Sequence, residues 1–287
     1  MSLNENEIFI IGAKGQLGLA LRDKYPGARW ADIDELDITN KESVSTFDWS
    51  GIKILLNAAA YTNVDGAETE EGRRLAWAVN ADAVGNLVAV AAQNDMTMVH
   101  ISTDYVFDGT LDNHSESEAF APLSVYGASK AAGDLLVSLA PKFYILRTSW
   151  VIGEGKNFVR TMLDLAKKDI SPMVVHDQIG RLTFTAELVR AIDHVLDVGA
   201  SYGTYNVSNS GIPSSWADIT RKIFGLAGFN NLKVSNTTTN EYFAGKTGIA
   251  PRPLKSTLLL DKIKSTGFES IDWEIALSDY VTKELKK

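Results

Sequence analysis

The stretch SVYGASK (124–130) places Tyr126 four residues before Lys130. Residues at i and i+4 share a face of a helix, so this spacing presents a phenol and an ammonium to one spot. The phenol can give up a proton. The ammonium can stabilise the phenolate that remains and so lower the tyrosine pKa from about 10. Ser102 and Thr103 in ISTDYVFDG (101–109) close an apolar run, at the strand edge where open α/β folds bind ligands. A hydroxyl there hydrogen-bonds a carbonyl oxygen. Thr103, Tyr126 and Lys130 together describe a device for polarising and protonating a carbonyl group.

A second group has the types needed to hold a dinucleotide. GAKGQLG (12–18) has the pattern G-x-x-G-x-x-G directly after an apolar β-rich run. Gly12 permits a tight turn, Gly15 a close approach of backbone to a pyrophosphate, and Gly18 close helix–sheet packing. The N–H groups of the following helix face the anion. Asp32 follows Gly12 by 20 residues, the spacing of an acid that binds the adenosine ribose hydroxyls, and Asp34 competes for that role. An acid here favours NAD, whereas Lys14 can meet a 2′-phosphate and favours NADP, so NADH and NADPH both stay open. Asp37 and Ile38 lie near the adenine if their loop folds over it. Ala58, Ala59 and Ala60 allow backbone close to something flat, or simply tight helix–sheet packing.

These residues require a scaffold, and the chain spells one. Apolar runs at 7–13, 28–34, 52–60, 96–103 and 143–150 alternate with helical patterns at 15–25, 41–49, 70–95 and from Ser124 to about 139. Alternation of near-continuously apolar strands with helices predicts an α/β fold, a doubly wound, Rossmann-like parallel sheet covered on both faces. After 150 the order predicts a helix at 157–168, a strand at 173–175, a helix at 185–198, a strand at 203–207, a turn at 208–215 and a helix at 216–227. The tail from 229 reads as polar and loop-rich. The expected division is a dinucleotide-binding domain at 1–150, with later strands returning near 173–207, and a smaller substrate-binding lobe from 151–172 and 208–287.

Composition narrows the function classes. The chain has 287 residues, 45% hydrophobic and 22% charged, enough for a sizeable core. The formal net charge of −8 is the wrong sign for a nucleic-acid backbone binder. There is no cysteine, which excludes disulfides and thiol nucleophiles and suits a reducing cytoplasm. The start MSLNENEIFIIGA lacks a basic segment with a long apolar stretch, so no signal peptide is expected. No uninterrupted apolar run approaches about 18 residues, so no membrane span is expected. The four histidines lack ligand spacing, and no metal site is expected on them.

GAKGQLG, ELDIT, NAAAYTNVDGAE, VNADAVGNL, STDYVFDG, PLSVYGASKAAGD, LRTSWV, NFVRTML and HDQIGRLT together resemble the extended short-chain dehydrogenase/reductases, and within them the dTDP-4-dehydrorhamnose reductase family. The resemblance runs from about 7 to 190, with weaker agreement to the end. It implies hydride transfer from NADPH or NADH to the C4 ketone of a nucleotide sugar, dTDP-4-dehydro-6-deoxy-L-mannose, giving dTDP-L-rhamnose. It implies that Tyr126 donates the proton and that Lys130 holds the nicotinamide ribose and tunes Tyr126. Thr103 takes the serine-like place and binds the sugar carbonyl. Asp104, Trp150 and Arg252 contact substrate, while Gly15, Gln16, Leu17, Asp37, Ile38, Ala60, Tyr61 and Thr62 contact cofactor.

The chain departs from that family in several places. DQIGRLT has Leu182 where the family writes proline, and RPLKS has Lys255 where it writes asparagine. Some members bridge a dimer with a metal held by three glutamates. Glu187 and Glu274 fall on two of those positions, but Ala20 stands on the first. The expectation is a monomer, or a homodimer that does not depend on magnesium. Two rival readings remain. An epimerase or dehydratase on the same scaffold would keep its NAD bound or set acids beside Thr103. A non-catalytic cofactor-binding regulatory subunit would have no use for Thr103, Tyr126 and Lys130 together.

Overall fold

The computed structural model describes residues 3–287. Its first half lays down β1 (Ile8–Ile11), α1 (Gln16–Lys24), β2 (Arg29–Ala31), α2 (Lys41–Thr46), β3 (Ile54–Asn57), α3 (Glu70–Trp77), α4 (Ala83–Gln93), β4 (Thr97–Thr103), α5 (Val125–Val137) and β5 (Phe143–Thr148). The second half adds β6 (Val151–Ile152), α6 (Phe158–Lys167), β7 (Met173–Val175), β8 (Ile179–Gly180), β9 (Thr183–Phe184), α7 (Thr185–Asp197), β10 (Gly203–Asn206), β11 (Ser214–Ser215), α8 (Trp216–Leu226), β12 (Ser235–Thr237), α9 (Thr239–Phe243), α10 (Asp261–Lys264) and α11 (Trp273–Glu284).

The central sheet has six parallel strands in the order β2-β1-β3-β4-β5-β10. The order reverses direction between β1 and β3, and in open α/β sheets ligands bind outside the strand ends at such a point. Apolar side chains alternate between two cores, as the period of a strand requires. Ile8, Ile10, Leu56, Val99 and Leu146 meet α1 and α7 on one face. Phe9, Leu55, Met98 and Ile145 meet α2 and α4 on the other.

A third core closes the smaller lobe, where Val159, Leu163, Phe184, Ile223, Trp273 and Leu277 pack together. One expectation is corrected here. The strand at 173–175 does not return to the main sheet; β7 pairs in parallel with β12, and of the later strands β10 joins the central sheet. The tail is loop-rich as expected, but it carries order that the pattern did not announce. It holds α11, whose Trp273, Leu277 and Val281 recur every fourth residue and are buried, an amphipathic stripe that only the lobe core makes worthwhile.

The segment Glu70–Gln93 is long and apolar enough, by length and composition, to cross a bilayer, although no uninterrupted apolar run announces it. It lies instead against the sheet, with Val84, Leu87 and Val90 in the core. The segment is not one regular helix. Residues 78–82 form a π turn between α3 and α4, and such turns cluster at functional sites. This one buries Asn80, whose amide exchanges hydrogen bonds with the backbone of Tyr61 and donates to Ser129 of α5.

Candidate active site

The glycine turn sits at the reversal between β1 and β3. Gly12 has φ +75°, and a Cβ there would lie 2.5 Å from the Ala59 nitrogen, so both conformation and space demand glycine. Gly18 of α1 lies directly over the Gly12 carbonyl. Helix α1 begins with no side-chain cap and no acid in its first turn, leaving N–H groups available to an anion. A cleft of about 330 Å³ opens in front of the turn. Gly12, Gly15, Asp32, Asp37, Ile38 and Ala58 to Tyr61 line it, with Ile33, Leu36 and Val79. Uncapped donors beside a small-residue wall fit a dinucleotide pyrophosphate.

Of the expected cofactor residues, Lys14, Gln16, Leu17, Gly18, Thr62, Tyr126 and Lys130 stand outside that lining. The Leu17 side chain is buried in the core beneath the turn. The Gln16 amide oxygen accepts the Gly153 N–H at 2.8 Å, tying the turn to the lobe. Thr62 is exposed beyond the cleft wall. The carboxylate of Asp32 serves as a turn fastener, accepting the N–H groups of Lys14 at 2.8 Å and Ile33 at 2.9 Å. Lys14 does not face the cleft as a free cation, because its ammonium is bound by Asp34 at 2.8 Å and Glu35 at 3.0 Å.

Thr103 ends β4, and its hydroxyl donates to Asp104 Oδ1 at 3.1 Å and accepts the Tyr105 N–H at 3.2 Å. Ser102 does not join it. That side chain is buried on the α5 side of the sheet, near the Asp134 carboxyl that burial pushes up, and its hydroxyl has no hydrogen-bond partner among the described residues. Ser124 caps α5 by accepting the Gly127 N–H, which sets Tyr126 in the first turn, edge-on to Tyr105 at 5.5 Å. Burial pushes the Tyr126 phenol up to about 12, with the nearby Thr103 hydroxyl pulling the other way.

Lys130 is buried, its Nζ donating to the Ile101 carbonyl at 2.6 Å and lying 3.2 Å from His100 Nε2. Burial brings it down to about 8, partly offset by Asp134. The expectation that Lys130 lowers the Tyr126 pKa is thus corrected for this arrangement. Lys130 points into the sheet, and burial dominates both groups.

A wider cleft of about 910 Å³ lies beyond β4, lined by Asp108, Leu123, Phe243, Lys246, Arg252 and Lys255 among others. Arg252 makes a two-pronged ion pair with Asp65, both contacts at 2.8 Å, and stacks over Phe243. Thr103, Asp104 and Tyr126 lie between the two clefts. Tyr126 packs with Tyr61 of the first, and Asp104 lies near Ser256, next to Lys255 of the second. Asp104 is buried, its carboxyl is pushed up to about 6 by burial, and its Oδ2 has no partner among the described residues. Trp150 has φ +47°, a strained setting for an aromatic residue, and stacks on Trp216 at 3.7 Å where the sheet meets the lobe.

Sequence reasoning missed Asn57, His100 and Asn80, which hold the floor of the site. The signal was present, since Asn57 and His100 each interrupt an apolar run, in ILLN and MTMVHIST. The two glutamates matched to a bridging metal are otherwise engaged. Glu187 is buried against the Ile271 N–H and Arg190, and Glu274 pairs with Lys222. Among the described residues no group of three or more His, Asp or Glu is disposed to hold a metal ion.

Three comparisons bear on this arrangement. The family model described as RmlD substrate binding domain matches residues 6–286. A dTDP-4-dehydrorhamnose reductase of Aggregatibacter actinomycetemcomitans is 40% identical over 292 residues, covering 95% of this chain and 97% of its own length. Two crystal structures share the fold. A dTDP-4-dehydrorhamnose reductase from Clostridium acetobutylicum has a TM-score of 0.89 at 36% identity, covering 98% of this chain and 99% of its own. One from Bacillus anthracis in complex with NADP has a TM-score of 0.86 at 35% identity, covering 96% of this chain and 98% of its own.

Proposed function

The chain belongs to the RmlD substrate binding domain family, and from that premise we propose that it is an NAD(P)H-dependent reductase of dTDP-L-rhamnose biosynthesis. It reduces the C4 ketone of dTDP-4-dehydro-6-deoxy-L-mannose to dTDP-L-rhamnose. The observation that carries this reading is the placement of Thr103 and Tyr126 at the end of β4, with Lys130 beneath them, between the cleft at the glycine turn and a wider one. Full-length similarity to reductases of that name supports it.

The glycine turn, Asp37, Ile38 and Ala58 to Tyr61 would hold the dinucleotide. The reduced nicotinamide, when bound, supplies the hydride. Thr103 turns its hydroxyl from Asp104 to the sugar carbonyl oxygen, and Tyr126 gives that oxygen its proton. Lys130 keeps a positive charge beneath the site while it is protonated. The unpartnered Asp104 Oδ2 takes a sugar hydroxyl, because a buried acceptor without a donor is costly. Trp150 and Arg252 border the substrate. The test is oxidation of NADH or NADPH with the dTDP sugar, against the same sugar on UDP. One cofactor oxidised per sugar reduced is expected, with preference for dTDP. Interconversion of sugars without net cofactor oxidation would mean an epimerase or dehydratase, and no turnover a binding subunit.

Both cofactors are accepted. Lys14 is the cation that would meet a 2′-phosphate, and Asp34 and Glu35 compete for it. Asp34→Asn combined with Glu35→Gln should release Lys14 and raise the NADPH to NADH ratio of kcat/KM roughly threefold or more, a modest change because exposed pairs are screened. Lys14→Ala should move it the other way. An unchanged ratio in both variants would assign the ribose end to other residues.

The reaction belongs in the cytoplasm, where nucleotide sugars are made. The assembly is a monomer or a homodimer independent of magnesium, because Ala20 removes one carboxylate and Glu187 and Glu274 are spent on other partners. Magnesium favours near-octahedral oxygen ligands. Light scattering should give one mass with and without EDTA. A dimer that dissociates on chelation and re-forms with magnesium would overturn this.

A further inference from the structure

The floor beneath α5 holds polar groups that the proposed reaction leaves unexplained. Asn57 and His100 are direct partners in the β3–β4 register, and both are fully buried. They stand on the sheet face otherwise made by Phe9, Leu55, Met98 and Ile145. Lys130 reaches down from α5 to the same spot, to the Ile101 carbonyl and His100 Nε2. In such an apolar layer each polar group must find a partner of the right kind.

The hydrogen positions follow from the partners. Ala59 N–H donates to Asn57 Oδ1 at 3.1 Å, which turns Asn57 Nδ2 to His100 Nδ1 at 3.0 Å. An amide nitrogen only donates, so Nδ1 accepts, and a neutral imidazole that accepts at Nδ1 carries its hydrogen on Nε2. Burial and the Lys130 charge hold His100 neutral, driving its pKa well below the ordinary histidine value. Nε2–H is therefore directed at Lys130 Nζ. An amine has a lone pair to receive it, and an ammonium has none.

We propose that His100, its tautomer locked by Asn57, is a positioning residue for Lys130: it seats Nζ over the Ile101 carbonyl and gives the amine form a hydrogen bond that the ammonium form cannot take. Other groups weigh on the same balance. Asp134, one turn further along α5, favours the ammonium but is shared with Arg147 of β5 at 3.0 Å. Tyr126, one turn earlier, is neutral at ordinary pH, and Asp104 lies on its far side. Burial and the His100 tautomer together oppose Asp134. Lys130 consequently changes charge within the range where an enzyme is assayed, and His100 helps set that point.

The kinetic consequence rests on Lys130 acting in the proposed reduction, whereas the tautomer does not. Imidazole nitrogen NMR on the labelled full chain should find His100 neutral and protonated at Nε2 across about pH 5 to 8, the range in which a free histidine titrates. Asn57→Asp offers a carboxylate to Nδ1–H, moves the hydrogen there, and frees the Nε2 lone pair for an ammonium. The basic limb of kcat should then rise by about one pH unit or more. His100→Gln should raise it too, its side-chain carbonyl accepting from the ammonium, and because it adds no charge it separates the lock from a plain charge effect. A wild-type hydrogen at Nδ1, or a basic limb unmoved in both variants, would overturn the proposal. Should the wild type fail to turn over the sugar, the functional reading falls, and the NMR result alone decides the Asn57–His100 lock.

Discussion

Tyr126→Phe is expected to bind NADH and NADPH as tightly as the wild type and to lose turnover by about 10²–10⁴-fold, the usual worth of a positioned general acid. The change removes one oxygen and keeps the ring that packs edge-on against Tyr105 and beside Tyr61, so fold and cleft should survive. Burial holds the phenol near 12, so at neutral pH nearly every molecule carries the proton to be donated. The loss should therefore appear in kcat at all pH values below that, without a change in the shape of the acid limb. Single-turnover oxidation of bound NADH separates this from a binding defect. A variant with near-normal kcat would remove Tyr126 from the role of acid, whatever its place in the site.

The parts of this site that were legible in the sequence are those built by neighbours in the chain. The turn Gly12 to Gly18, the strand end at Thr103 and the helix start that carries Tyr126 and Lys130 are each set within a few residues, and local pattern is enough to place them. Asp32 was legible as a position but not as a job. Its carboxylate is taken by the N–H groups of Lys14 and Ile33, which depends on how the glycine turn folds back on β2.

The floor was illegible for a different reason. Asn57 meets His100 only through the β3–β4 register, and His100 meets Lys130 only because α5 packs so close to the sheet that a Cβ on Gly133 would lie 3.7 Å from His100 Nε2. The pairing of β7 with β12 is likewise a contact between segments about sixty residues apart, and no local signal announces it. Helix α11 is the exception. Its four-residue apolar spacing and the Asp272 cap were readable, and the polarity of its other face masked them.

Lys130→Met should lower kcat/KM on the order of 10²–10³-fold, as loss of a preorganised charge does, and yet leave a more stable protein. Burial brings Lys130 from 10.5 down to about 8, so below pH 8 the fold carries a charge that the unfolded chain holds more favourably, a cost of roughly 3 kcal/mol. Because the folded value lies below the unfolded one, the unfolded state binds more protons between pH 8 and about 10.4, and wild-type stability rises with pH across that window. Methionine fills the same channel without charge. It gives up the hydrogen bond to the Ile101 carbonyl, worth on the order of 1–2 kcal/mol, leaving a net gain of about 1–2 kcal/mol at pH 7. Urea unfolding should show the variant ahead at pH 7 and level with the wild type near pH 10. Its residual activity should also lose the basic limb expected of the wild type near 8, because the phenol near 12 is then the next group to titrate. Stabilisation with loss of activity marks a residue kept for chemistry at the expense of the fold. A variant that is both less active and less stable at pH 7 would mean that Lys130 is bound more tightly by its surroundings than its burial implies, and that its charge serves the structure rather than the reaction.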